Sequence, residues 1–121
     1  MKFTELRFPA AVSRGIEKVG FQDLTPVQEK TIPLALAGKD VAVQAQTGTG
    51  KTAAFLISLF TRLLAAGEKK GKNPRALIIA PTRELVVQIC EDAKGLGAFC
   101  PIRVQAIFGG MDYHKQRQDL K

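Results

Sequence analysis

The segment Ala45-Gln46-Thr47-Gly48-Thr49-Gly50-Lys51-Thr52 constrains this chain more than any other. Two glycines, a lysine and a hydroxyl stand there at fixed spacing between two apolar runs. Val41-Ala42-Val43 ahead of it reads as a short buried strand, and the run to Ala66, with Ala54, Phe55, Leu59 and Leu63, reads as a long helix. Strand, glycine loop and helix together let backbone N–H groups curl around a polyphosphate while the helix points its positive end at it. In that setting Lys51 would set its ammonium on the β- and γ-phosphates, and Thr52 would offer its hydroxyl to Mg²⁺. Ala45 stands where the stricter pattern has glycine. The bland alternative is a Gly-Thr loop that only turns the chain.

The remaining segments fit around that unit. Phe8 to Gly20 carries Val12, Ile16 and Val19 at helical spacing, with Gly20 as its stop. Thr25-Pro26 opens a second helix through Lys30 or Thr31, which Pro33 is expected to break or kink before a short turn at Leu34 to Ala37. Ala76 to Ala80 reads as a second buried strand, Arg83 to Phe99 as a helix interrupted near Gly95 and Gly97, and Ile102 to Phe108 as a third strand. Gly109-Gly110 is a turn, and Met111 to Lys121 starts another helix. Alternating apolar strands and helices predict an α/β fold, a parallel sheet flanked by helices on both faces.

Composition removes other classes. No apolar run reaches the length of a membrane span, and the first residues lack the apolar core of a signal peptide. Cys90 and Cys100 cannot make a zinc set alone and read as small core residues, so the chain is expected to be cytoplasmic. His114 reads as a surface residue. The net charge of +7 favours an anionic partner, nucleic acid first, although the three lysines between Gly67 and Pro74 read as solvated.

The loop resembles motif I of the DEAD-box ATP-dependent RNA helicases, here bacterial in look, and three more blocks agree in order and spacing. Gly20-Phe21-Gln22-Asp23-Leu24-Thr25-Pro26-Val27-Gln28 resembles the Q motif of that family, with Phe3 at the place of its isolated upstream aromatic. Pro81-Thr82-Arg83-Glu84-Leu85-Val86-Val87-Gln88 resembles motif Ia, and Gly109-Gly110 its glycine doublet. Leu24 replaces the usual Pro and Val86 the usual Ala, and neither change removes a polar contact.

The resemblance implies residues 1–37 as a Q-motif region and 38–121 as part of the first RecA-like, P-loop domain. It implies ATP and Mg²⁺ held by Phe21, Gln28, Ala45, Gln46, Thr47, Gly48, Thr49, Gly50, Lys51 and Thr52, with Lys51 catalytic and Thr52 the Mg²⁺ ligand. It implies RNA, single-stranded or a short duplex, gripped by Pro81, Thr82, Arg83, Gly109 and Gly110, with no membrane partner.

The residues carry part of this themselves. The Gln28 amide offers the one donor and one acceptor that match adenine at N7 and N6, while guanine shows two acceptors on that edge. Phe21 could supply an apolar face for the base with Phe3 behind it, or both could be plain core residues. The alternative for Gln28, an exposed helix residue, is disfavoured by the resemblance. Thr82 and Arg83 follow the second strand at its carboxyl end, where a hydroxyl, helix-start N–H groups and a guanidinium suit a phosphodiester backbone. Arg83 could instead pair with Glu84 or other nearby acids.

Phosphoryl transfer also needs an acidic strand end to hold Mg²⁺ and orient water. The family carries it in an Asp-Glu-Ala-Asp segment, which these 121 residues lack; Glu91-Asp92 lies inside the second long helix. The Ser-Ala-Thr motif and the second domain with its arginines are missing too. The resemblance therefore implies a domain that stops before its acidic (Walker B) strand, leaving a sheet edge without its ladder, and a chain inactive by itself. The whole enzyme would couple ATP hydrolysis to unwinding of RNA duplexes. The alternative is a non-enzymatic nucleotide- or RNA-binding module from a truncated gene. A DNA helicase with a similar Q motif is a lesser rival, disfavoured by Pro81-Thr82-Arg83-Glu84-Leu85.

Overall fold

A computed structural model describes residues 1–46, 48, 50–67 and 73–108. Thr47, Thr49, Gly109, Gly110 and the helix expected from Met111 lie outside the described residues. Four helices form the frame: α1 (Ala10–Lys18), α2 (Pro26–Leu36), α3 (Lys51–Ala65) and α4 (Arg83–Leu96).

Each helix starts and stops for a local reason. Pro9 precedes α1 and cannot extend a helix backwards, while Val12 and Ile16 put two buried side chains on one face. Thr25 caps α2 through a reciprocal pair: the Gln28 N–H donates to Thr25 Oγ1 at 3.4 Å and the Thr25 N–H donates to Gln28 Oε1 at 2.9 Å. Of the break or kink expected at Pro33, the break does not occur, and α2 runs on to Leu36. Only the Glu29 carbonyl loses its helical donor there, on an exposed turn, and fully buried Ile32 holds the segment down. Thr82 caps α4, accepting from the Leu85 N–H at 3.2 Å. That helix passes Gly95 without interruption and ends at Gly97, so Phe99 lies beyond it.

α3 is the centre of the packing. Ala53, Ala54, Leu56, Ile57, Ser58 and Phe60 are all buried, a wider apolar surface than one stripe, and α1, α2 and α4 each lie against it. Ser58 is tolerated inside because its hydroxyl donates to the Ala54 carbonyl at 2.7 Å. Phe3, Val12, Ile16, Leu24, Ile32, Ala93 and Leu96 complete the core.

The three runs read as strands carry neither helix nor turn. Burial in the third run alternates with period two: Ile102, Val104, Ala106 and Phe108 are half-buried while Arg103, Gln105 and Ile107 are exposed. Ile102 and Val104 pack on the helical core. In the second run Leu77 is 82% and Ile79 84% exposed, so these two side chains find no cover.

At the amino end, Lys2 and Asp23 form an isolated antiparallel bridge, with the Phe3 N–H donating to the Gln22 carbonyl at 2.9 Å and the Leu24 N–H to the Met1 carbonyl at 2.9 Å. The Met1 ammonium donates to Glu29 Oε1 at 3.0 Å, and that carboxylate raises the pKa of the amine.

Gly15 is where α1 crosses α4. A Cβ at that position would overlap the Leu96 carbonyl oxygen and lie 2.8 Å from its carbon, and neither atom can rotate away. Gly15→Ala is therefore expected to lower stability by about 1–3 kcal/mol despite the better helix propensity of alanine. Thermal or urea denaturation checks this, and a variant as stable as its parent would contradict the crossing.

Candidate phosphate and nucleic-acid site

α3 begins at the glycine loop with no side chain capping it. Gly50 is the N-cap with φ 89°, a left-handed conformation that favours glycine, and the first helical bond runs from the Ala54 N–H to the Gly50 carbonyl. The Lys51, Thr52 and Ala53 N–H groups at this end are the donors that an anion takes at a helix start. Lys51 Nζ donates to the Ala45 carbonyl, tying together the two ends of the loop. Lys51 and Thr52 are half-buried, and Gln46 and Gly48 are exposed. Thr47 and Thr49, also expected at this site, fall outside the described residues.

Gln28 is 3% exposed, which sets aside its reading as an exposed helix residue. Besides its cap with Thr25, its Nε2 donates to the Gly50 carbonyl at 3.3 Å. One amide thus ties the start of α2 to the start of α3. Each of its polar atoms keeps a second valence, one N–H and one lone pair. The spacing Thr25-x-x-Gln28 is a capping box and carries half of this arrangement in the sequence. The bond to Gly50, between segments distant in the chain, has no sequence signal.

Phe3 and Phe21 have different fates. Phe3 is a core residue at 4% exposure, whereas Phe21 is 40% exposed and stacks on it, ring centroids 6.0 Å apart and planes 18° from parallel. The bridge between Lys2 and Asp23 brings the two rings together. They line an open cavity of about 390 Å³ with Phe8, Ile16 and Glu17.

On the α4 side, Pro81, Thr82 and Arg83 are exposed. The Thr82 oxygen is used as the helix cap, which leaves its O–H hydrogen to donate outward. The Arg83 guanidinium lies over the Phe108 ring, 5.4 Å from its centroid. Phe108 carries no sequence motif of its own and was not distinguishable from the rest of its strand. A similar contact, Arg14 at 4.2 Å from the Phe99 ring, lies between α1 and the end of α4. Among the described residues no cluster of three or more His, Cys, Asp or Glu side chains could hold a metal ion. No helix is long and apolar enough to cross a membrane.

The family profile described as DEAD/DEAH box helicase matches residues 25–121. The ATP-dependent RNA helicase RhlB of Xanthomonas campestris pv. campestris is 48% identical over 124 residues, taking in 100% of this chain and 22% of that protein. Among solved structures, the RNA helicase Prp28 from Chaetomium thermophilum bound to ADP superposes with a TM-score of 0.79 at 40% identity, over 91% of this chain and 27% of that one. A DEAD box protein from Methanococcus jannaschii superposes with a TM-score of 0.85 at 33% identity, over 100% of this chain and 32% of that one. The fold is that of the RecA-like α/β domain of such proteins. The chain spans about a fifth of the length of the curated relative and about a third or less of these structures.

Proposed function

The chain belongs to the DEAD/DEAH box helicase family, and from that premise we propose that it supplies the ATP-binding and part of the RNA-binding surface of an ATP-dependent RNA helicase. The observation that supports this reading is the bond from Gln28 to Gly50, which joins the Gln28 amide to the start of α3. Residues 1–37 then serve the adenine side, through Phe21 and Gln28, and residues 38–121 the phosphate and RNA sides. A cytoplasmic location accompanies this reading.

The chain's own groups divide the work. Gly48 and Gly50 have left-handed backbones, φ 87° and 89°, that let the loop curl, and the α3 N-terminus directs its dipole at the phosphates. Lys51 must exchange the Ala45 carbonyl for phosphate oxygens, a trade of a neutral acceptor for a charged one. The Thr52 hydroxyl and phosphate oxygens would hold Mg²⁺, which when bound neutralises charge on the β- and γ-phosphates. Gln28 reads the base with its remaining N–H and lone pair. Pro81, Thr82 and Arg83, with Gly109 and Gly110 beyond the described residues, face RNA backbone.

Nucleotide titration of the 121-residue chain tests the reading. ATP is expected to bind more tightly than GTP, and Gln28→Glu to weaken ATP binding by about 1–3 kcal/mol, because a carboxylate cannot donate to N7 and meets the Gly50 carbonyl oxygen with like charge. Equal affinity for ATP in Gln28→Glu and its parent, measured by calorimetry, would refute the adenine-reading role.

A further inference from the structure

We propose that Arg14, Lys18 and Phe99 form a docking site for an acidic peptide segment of a partner protein, one in which an apolar side chain stands between carboxylates. The site lies apart from the nucleotide and RNA surfaces and does not depend on how those are read.

The crossing of α1 over α4 builds it. Gly15 lets α1 lie directly on Leu96, and that close approach sets the neighbouring residues of α1 beside the end of α4. Arg14 and Lys18 stand at i and i+4 on one exposed face of α1. Phe99 lies just past α4, in a turn tied by the Ala98 N–H to the Gly95 carbonyl at 3.4 Å and by the Cys100 N–H to the Gly97 carbonyl at 3.0 Å. The Arg14 guanidinium carbon is 4.2 Å and Lys18 Nζ 5.8 Å from the centre of the Phe99 ring. With Glu17 these three residues line an open cavity of about 320 Å³.

This face is left unsatisfied in the chain by itself. Like charges one helical turn apart repel, and among the described residues neither Arg14 nor Lys18 has an ion pair, not even with Glu17. The ring attracts both cations but carries no charge to neutralise them. Phe99 itself is 39% exposed. An apolar side chain with carboxylates on either side covers the ring and pairs the two cations at once. Because the crossing and the turn already hold all three side chains together, little ordering remains to be done on binding.

Glu17 decides between an acidic peptide and RNA. A nucleic-acid strand is charged at every step and brings phosphate against that carboxylate, whereas a peptide can set a backbone N–H there. The path from Arg83 to this face also follows α4 for roughly 20 Å. It passes exposed Glu84, Glu91 and Asp92 against a single exposed cation, Lys94.

The test is selection of random dodecapeptides on phage against the immobilised 121-residue chain, followed by anisotropy of labelled synthetic copies of the enriched peptides. Peptides with carboxylates on both sides of an apolar residue are expected to be enriched. The double variant Arg14→Glu, Lys18→Glu is expected to bind them about tenfold more weakly, or worse, and Phe99→Ser about five- to tenfold more weakly. Lys39→Glu, a charge reversal at an exposed position beyond α2, should stay within about twofold of the parent. Circular dichroism accompanies every variant; the double variant alters exposed side chains alone and decides the matter even where Phe99→Ser fails to fold. Enrichment without the acidic and apolar pattern overturns the proposal, as does equal affinity of the selected peptides for the double variant and its parent. If the double variant loses as much affinity for a labelled single-stranded RNA as for the peptides, the face is a nucleic-acid contact and the peptide assignment falls.

Discussion

Lys51→Ala is expected to reduce ATP affinity by about 10- to 100-fold, the span of a lost hydrogen bond to a charged group, while leaving the helical core intact. The ammonium is bonded to the Ala45 carbonyl and makes no contribution to the buried cluster around α3. Removing it takes away a point charge from the phosphate site and also the tie between the two ends of the loop. Calorimetric titration with ATP, beside a circular-dichroism melt, separates loss of binding from loss of fold. A folded Lys51→Ala chain that bound ATP like its parent would contradict the assignment of the loop.

Gly50→Ala is expected to damage both stability and nucleotide binding. Its φ of 89° already strains any residue with a Cβ, at a cost of about 1–3 kcal/mol. The added methyl would overlap Gln28 Nε2 and lie 3.1 Å from Thr25 Oγ1, so the amide must swing away from the start of α3. Gly48 provides the comparison: its φ is 87°, but nothing lies within 4 Å of a Cβ built there. Gly48→Ala thus reports backbone strain alone, and the excess loss in Gly50→Ala reports the Gln28 contact. Equal melting temperatures and ATP affinities for the two variants would show that the contact contributes nothing.

The sequence was most legible where local rules dominate. The glycine turn ahead of α3 and the starts of α2 and α4 follow from glycine, proline and hydroxyl chemistry within a few residues. Pro33 does not break α2 because the rule against internal proline concerns one hydrogen bond and one steric contact, while buried Ile32 ties that turn to the core. Gln28 showed its hydrogen-bonding capacity but not its partner, since the Gly50 carbonyl becomes a neighbour only when α2 lies against α3. Phe3 and Phe21 are alike in type, and only the bridge at Lys2 and Asp23 separates a buried ring from an exposed one. Gly15 resembles any helical glycine until the Leu96 carbonyl is set beside it. The apolar run at 76–80 reads as a buried strand by composition, yet burial depends on neighbours that composition does not supply.

The crossing of Gly15 over Leu96 also has a kinetic side. Contacts between α2 and α3 close short stretches of chain, whereas α1 meets α4 only after everything between them has been threaded, the costlier closure in entropy. α1, made before α2, α3 and α4, would then be among the last of the four to dock, onto a groove that the others must first complete. Between synthesis and docking, Val12 and Ile16 would stand in water, and the rings at positions 3 and 21 would lack the surface that orders them.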